Sequence, residues 1–359
     1  MRSRSRRAIW IGAAGVLAVA VVAVGAVVLL RPPAPSPQPS ASPSPSASPL
    51  VATPVGVYAF TAGAQNVEHP ADVIAKLATS SFKPNGIDWV IGWKLLEPAP
   101  GQYAWSLVDN DLSAARNAGY GSFVEIIPGE DTPSWALAQC PTVHLTLQNT
   151  GEPVTICVPT SAQFLDLWTQ MITAFGHRYN SAPGLTMVQA TGCGVQGEMQ
   201  LPDHSASFWA PYGLTTPTLL SAWERVLSAW RAALPETPSS LAIEEPLGNG
   251  NSDVLHPLIT YAHSHFGPLM WLQQNGLRQG TQTSPGSYGG DLAAASQYTT
   301  VGWQMFGAGA ANGNLASALG DGLAVHPRFY EVYLSDIVST TSGPTLNQLR
   351  AGALAAPAG

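Results

Sequence analysis

Charge is scarce in this chain, and positive charge is scarcer still. Only 10% of the 359 residues are Asp, Glu, Lys or Arg. Five of the fifteen Lys+Arg fall within the first 31 residues, where no acid occurs. The remainder carries ten basic against twenty-two acidic residues, a formal charge of −12. That balance argues against nucleic acid or anionic lipid head groups as partners of the main body, and favours a neutral or weakly charged ligand. Cysteine is nearly absent, at three, and no Cys/His spacing is of the zinc type, so no metal and no cofactor is assigned. A glycine-rich phosphate loop is also missing. The first apolar run, Val55 to Phe60, is followed by Ala62-Gly63-Ala64-Gln65, which removes a dinucleotide-binding reading.

The N-terminus is of a different character. Four arginines in Met1 to Arg7 precede 23 residues, Ala8 to Leu30, that carry no charge. A helix needs about 20 apolar residues to span a bilayer core, and a cleavable signal uses about 7–15. Residues 1–31 are therefore read as a signal anchor or a signal peptide, with the arginines kept inside and the rest exported. Residues 32–54 are dominated by Pro, Ser and Ala, a composition that buries nothing and stays extended as a spacer. The predicted location is extracellular, at the cell surface or secreted, with the membrane touched only by the N-terminal segment. Oligomeric state is left open.

Residues 55–359 alternate short apolar runs with amphipathic stretches, the signature of βα repetition and a parallel sheet. Eight runs are found: 55–60, 86–93, 121–127, 185–192, 240–245, 268–274, 300–306 and 328–334. Helices are predicted around 70–80, 106–118, 162–179, 218–233, 253–265 and 345–354. Eight strands in this order predict a closed TIM (β/α)₈ barrel, a fold of about 250 residues. Cys140 and Cys157 flank two alternating segments around a turn, after the third strand. In an exported protein they predict a disulfide-closed hairpin, leaving Cys193 unpaired.

In such barrels the working residues lie at the carboxyl ends of the strands. After the second run comes Trp93-Lys-Leu-Leu-Glu97-Pro, then Pro100-Gly-Gln-Tyr103-Ala-Trp105-Ser-Leu-Val-Asp109. This resembles the segment after the second strand of clan A glycoside hydrolases, nearest to the bacterial β-galactosidase-like barrels of family 42. There Glu97 is expected to cap its loop by accepting backbone N–H groups. A helix ending His177-Arg178-Tyr179 leads to the fourth strand, as in the same families. The resemblance implies a barrel acting on a glycan or glycoside, with the general acid/base at the end of that strand. Glu198 occupies the place, although Gly197 precedes it where clan A has Asn.

A carboxyl on a glycine-rich strand end within a cleft is desolvated, its pKa rises, and it becomes able to protonate a leaving oxygen. A solvated loop glutamate is the plainer alternative. The seventh run, Val301-Gly-Trp303-Gln304-Met-Phe, carries no carboxylate where clan A places its nucleophile, and a neutral amide cannot form a glycosyl ester. A second carboxylate is then sought among Glu244, Glu245, Glu331 and Asp336, with Glu331 ranked first, Glu245 next, and Arg328 a competing partner for Glu331. Retaining, inverting and silent carbohydrate-binding barrels all stay open. Trp93, Trp271 and Trp303 are candidates to stack on a sugar ring, and Asn275, Gln273 and Gln304 to bond hydroxyls. Core packing competes for each tryptophan.

Overall fold

The computed structural model describes residues 55–61, 69–147, 151–201, 203, 205–247 and 253–355. The predicted anchor and the Pro/Ser linker lie outside the described residues. Eight strands close on themselves: β1 (Gly56–Phe60), β2 (Gly86–Gly92), β3 (Gly121–Ile127), β4 (Leu185–Gln189), β5 (Ser239–Ala242), β6 (Met270–Leu277), β7 (Val301–Met305) and β8 (Phe329–Tyr333). Each pairs in parallel with its neighbours in chain order, and β8 returns to β1 with Glu331 beside Tyr58. Covered by helices outside and filled within, the strands are buried on both faces, which is why they read as near-continuous apolar runs. This is the predicted (β/α)₈ barrel.

Eight helices return the chain: Pro70–Thr79, Ser106–Asn117, Ala162–Tyr179, Thr216–Ala233, Leu255–Phe266, Tyr288–Ala295, Leu315–Leu323 and Gly343–Ala355. The sixth and seventh were not foreseen. Both are short and rich in Gly and Ala; the apolar stripe of the sixth is faint, and that of the seventh is confined to nine residues. The third shows how the others are specified. Ser161 caps it by accepting from the Phe164 amide at 3.3 Å. Phe164, Trp168, Met171, Ile172, Phe175 and Tyr179 then recur at helical spacing and are buried. Each such side chain contributes about 1.5–3 kcal/mol of burial.

The two segments that carry the family resemblance meet in space. Tyr179 and Arg178 both hold Asp109, at 2.9 and 2.6 Å, and the Tyr179 hydroxyl also reaches the Trp105 carbonyl at 3.1 Å. The motif thus latches the second helix onto the third. The ion pair is half exposed and by itself contributes little.

After β3 a hairpin pairs Thr142–Thr146 with Pro153–Cys157, antiparallel, with Thr142 opposite Cys157. Cys140 and Cys157 are bonded across its base, their Cα atoms 5.7 Å apart, and Cys193 is unpaired and buried.

Inside the barrel, side chains stack in tiers. Tyr58, Phe123, Met187, Trp271 and Phe329 form an apolar floor, and Phe60, Val90 and Ile127 an apolar patch nearer the mouth. Between them stands a polar tier. Asp88, Gln189, Gln273 and Glu331, one each from β2, β4, β6 and β8, are all buried, with Glu125 of β3 beside them. Alternate strands supply one tier in this fold, and such tiers are ordinarily filled by branched apolar residues.

Candidate active site

The chain leaves β4 through Thr191-Gly192-Cys193-Gly194-Val195-Gln196-Gly197 and doubles back. The turn is held at its root by two indoles, since Trp168 and Trp230 both donate to the Thr191 carbonyl at 3.0 and 2.8 Å. The Thr191 hydroxyl donates to the Ile126 carbonyl of β3 at 2.6 Å. Gly192 N–H closes the turn on the Gly197 carbonyl at 2.7 Å. Gly197 has φ +77°, and a Cβ there would sit 2.5 Å from the Thr191 Cβ, so only glycine fits. Gln196 also adopts a left-handed conformation, φ 54°, and its amide donates to Glu130 Oε2 at 2.9 Å. This turn delivers the Glu198 side chain to a cleft.

The cleft, about 420 Å³, is bordered by Glu198, Glu244, Asn275, Arg278, Tyr288 and Phe306 among others. Glu198 as a whole is only partly buried, yet its carboxyl is desolvated, which raises its pKa from 4.5 to about 7. Asn275 opposes the shift by donating from Nδ2 to Glu198 Oε1 at 2.6 Å, whereas the charges of Glu244 and Glu130 add to it. A carboxyl poised near neutrality in a cleft is equipped to give up a proton to a leaving group.

Glu244 follows β5 and is the other carboxylate among the residues bordering the cleft. Tyr288 bridges here: its hydroxyl accepts from the Glu245 amide at 3.1 Å and bonds the Glu244 side chain. Arg278 lies over the Phe306 ring, its guanidinium carbon 4.2 Å from the centroid, and Phe306 is 50% exposed. Arg278, Tyr288 and Phe306 were not singled out from sequence. They lie on loops and a short helix beyond β6 and β7, where no periodicity marks them.

The remaining candidates divide sharply. Asn275 is at the cleft, bonded to Glu198. Gln273 and Gln304 are buried inside the barrel. Glu331, ranked first as second carboxylate, is fully buried in the polar tier and accepts from Gln273 Nε2 at 3.3 Å. It does not border the cleft. One carboxylate oxygen from each of Asp88, Glu125 and Glu331 lies within 4.8 Å of the others. All three are pushed well above the carboxylate range, first by burial and then by neighbouring acids.

Glu245 turns inward and accepts from the amides of Leu247, Val254 and Leu255 at 3.2–3.5 Å, so it caps the helix Leu255–Phe266. Asp336 accepts from Gly309 N–H at 3.0 and 3.1 Å and ties down the loop after β7. None of the three tryptophans borders the cleft. Trp93 packs edge-on against Trp135 and Trp168 and donates to Glu97 at 2.8 Å. Trp271 lies in the barrel floor and donates to the Pro268 carbonyl, and Trp303 donates to the Gly322 carbonyl. Glu97 accepts from the Gly101 amide at 2.8 Å, the loop cap expected of it.

Comparison with known proteins bears on this geometry. The β-galactosidase model of glycoside hydrolase family 42 matches residues 66–204, a span that starts after β1 and ends just beyond Glu198. The barrel is glycoside hydrolase-like. Among solved structures, the catalytic domain of β-amylase from Paenibacillus polymyxa superposes with a TM-score of 0.57 at 9% identity, over 84% of this chain and 99% of that one. Endo-glycoceramidase II from Rhodococcus sp., described as a lactosyl-enzyme intermediate, gives 0.51 at 13% identity, over 82% and 78%. An exo-β-1,4-mannosidase from Opitutaceae bacterium strain TAV5 gives 0.51 at 12% identity, over 84% and 60%. At these identities the likeness is one of fold. No curated protein sequence matches the chain.

Proposed function

We propose that this glycoside hydrolase-like barrel cleaves a glycan outside the cell by an inverting route. In this reading Glu198 protonates the leaving oxygen and Glu244 activates the attacking water. The observation that carries it is the Glu198 carboxyl, brought to the cleft by its glycine turn and poised at about 7. The substrate class is carried over from the β-galactosidase model and from the β-amylase, endo-glycoceramidase and mannosidase folds. The strand ends favour an inverting route. β7 presents the amide of Gln304, which cannot form a glycosyl ester, and an inverting enzyme asks of its second carboxylate only that it activate water. The anionic surface and the Arg-rich apolar N-terminus support an exported protein that takes a weakly charged ligand.

A second reading, a silent surface-tethered carbohydrate-binding barrel, is favoured by one observation: amides, Asn275 and Gln304, stand at the ends of β6 and β7 in place of carboxylates. A screen against plant, bacterial and storage glycans separates the two. Turnover that falls about 10²–10⁴-fold in Glu198→Gln, with product of inverted anomeric configuration by ¹H NMR, supports the first. Binding without turnover by the parent chain supports the second. Retained configuration would overturn the inverting assignment, and full activity in Glu244→Gln would remove Glu244 from the mechanism.

A further inference from the structure

Asn275 meets Glu198 as the end of a chain of three hydrogen bonds that all run in one direction. The Ser240 hydroxyl of β5 donates to Gln273 Oε1 at 2.6 Å. Gln273 Nε2 donates to Asn275 Oδ1 at 2.9 Å, and its other N–H is shared between Gln189 Oε1 at 3.0 Å and Glu331 Oε2 at 3.3 Å. Asn275 Nδ2 then donates to Glu198 Oε1 at 2.6 Å. Each amide is oriented by the bond before it. Because Gln273 presents its NH₂ to Asn275, Asn275 has to accept with Oδ1, and only its NH₂ is left to face Glu198. Ser240 and Gln273 are buried in the barrel interior, and neither borders the cleft.

We infer that Ser240, Gln273 and Asn275 form a relay that holds Glu198 Oε1 as a permanent acceptor, so that the transferable proton is confined to Oε2. A proton on Oε1 would point at an N–H group, two donors face to face. The relay thus sets which oxygen is the acid, and Ser240 and Gln273 are positioning residues that act on Glu198 through Asn275. It rests on the reading of Glu198 as proton donor for its functional meaning, but its geometry does not. The other ionisable groups that act on the Glu198 carboxyl are Glu130 from the loop after β3 and Glu244 after β5. Glu125, Glu331 and the Tyr333 hydroxyl interact with its charge from the barrel side. A change at Ser240 touches none of these directly; Glu331, which accepts from Gln273 Nε2 at 3.3 Å, is followed in the same titration.

The test is a carboxyl ¹³C NMR titration of the full chain labelled at glutamate Cδ, with the Glu198 signal assigned by its loss in Glu198→Gln. In Asn275→Ala the carboxylate loses a charge-assisted donor, so its midpoint should rise by about one pH unit. In Ser240→Ala, Gln273 loses the bond that orients it, both amides become free to turn over, and the Glu198 midpoint should rise by about half as much. Ser240→Thr keeps the hydroxyl and should titrate as the parent does. If Ser240→Ala fails to fold, as judged by circular dichroism, Gln273→Met provides the same break with the same expected rise. A midpoint in Ser240→Ala or Gln273→Met equal to the parent's, with Asn275→Ala shifted, would overturn the relay and leave Asn275 acting alone. A relay that behaves as described in a chain that cleaves no glycan would count against the proposed activity and not against the relay.

Discussion

The Glu198 carboxyl makes a prediction about stability that needs no substrate. Its pKa is raised from 4.5 to about 7 in the folded chain, first by desolvation. The folded state therefore binds more protons than the unfolded state between those two values, and stability must fall as pH rises through that window. Below about pH 4.5 the group is neutral in both states and costs nothing. Above about pH 7 it is ionised in both, and the folded chain bears the full difference. A tenfold change in proton affinity corresponds to about 1.4 kcal/mol, which sets a ceiling of ~3 kcal/mol, reduced by the solvent that reaches the residue from the cleft. Glu198→Gln should remove this penalty. The amide is nearly isosteric, and its carbonyl can still accept from Asn275 Nδ2, so the bond at 2.6 Å survives the change.

The expected result is a variant that gains stability only at high pH. In a domain of this size each kcal/mol moves Tm by roughly 2 °C, so Glu198→Gln should melt about 4–6 °C above the parent at pH 8.5. The two should melt together at pH 4.5. Differential scanning calorimetry at the two pH values decides it. A gain of equal size at both pH values would mean that packing, not ionisation, is responsible. A loss at pH 8.5 would mean that the carboxylate is well solvated or paired, and the argument for a poised acid would fail with it.

Two further outcomes follow from the residues around the site. Glu245→Ala leaves the amides of Leu247, Val254 and Leu255 without their acceptor and should destabilise the fold by about 1–3 kcal/mol in urea titration, whereas a catalytic Glu245 would show lost turnover at unchanged stability. Cys140→Ser opens the loop between residues separated by 17 in sequence and should cost about 3 kcal/mol of stability from chain entropy, with the oxidised parent and the reduced parent differing by the same amount.

The barrel was legible because its signal is repeated. Eight apolar runs separated by amphipathic stretches constrain one another, and an error at one end of a strand leaves the order intact. β5, for example, is Ser239–Ala242 rather than 240–245, since Glu244 and Glu245 already belong to the loop. The disulfide was legible because two cysteines flank one hairpin. The tryptophans were not, because chemistry alone does not tell which face of a strand a residue takes. Trp303 and Gln304 are adjacent on β7 and must point to opposite faces. Gln304 pairs in register with the inward-facing Glu331, which sends Trp303 outward to the helices, where Gly322 accepts its N–H.

The same parity argument recovers the polar tier, and with it the reason Glu331 is not at the cleft. Four alternate strands each send a polar side chain into the same level of the interior: Asp88 from β2, Gln189 from β4, Gln273 from β6 and Glu331 from β8. Taken singly, each suggests a functional residue or a flaw in the strand. Taken together, one per alternate strand, they describe a tier of a (β/α)₈ interior. A residue two positions further along a strand lies on the same face and nearer the mouth. On β6 that step leads from Gln273 to Asn275, and Asn275 is the residue that touches Glu198. A buried polar tier is tolerable only where its members bond one another or stay neutral. Here the amides bond in sequence, and burial pushes the acids toward their neutral form. The tier therefore acts on the cleft through β6, by the orientation of two amides, while its acids stand below the mouth.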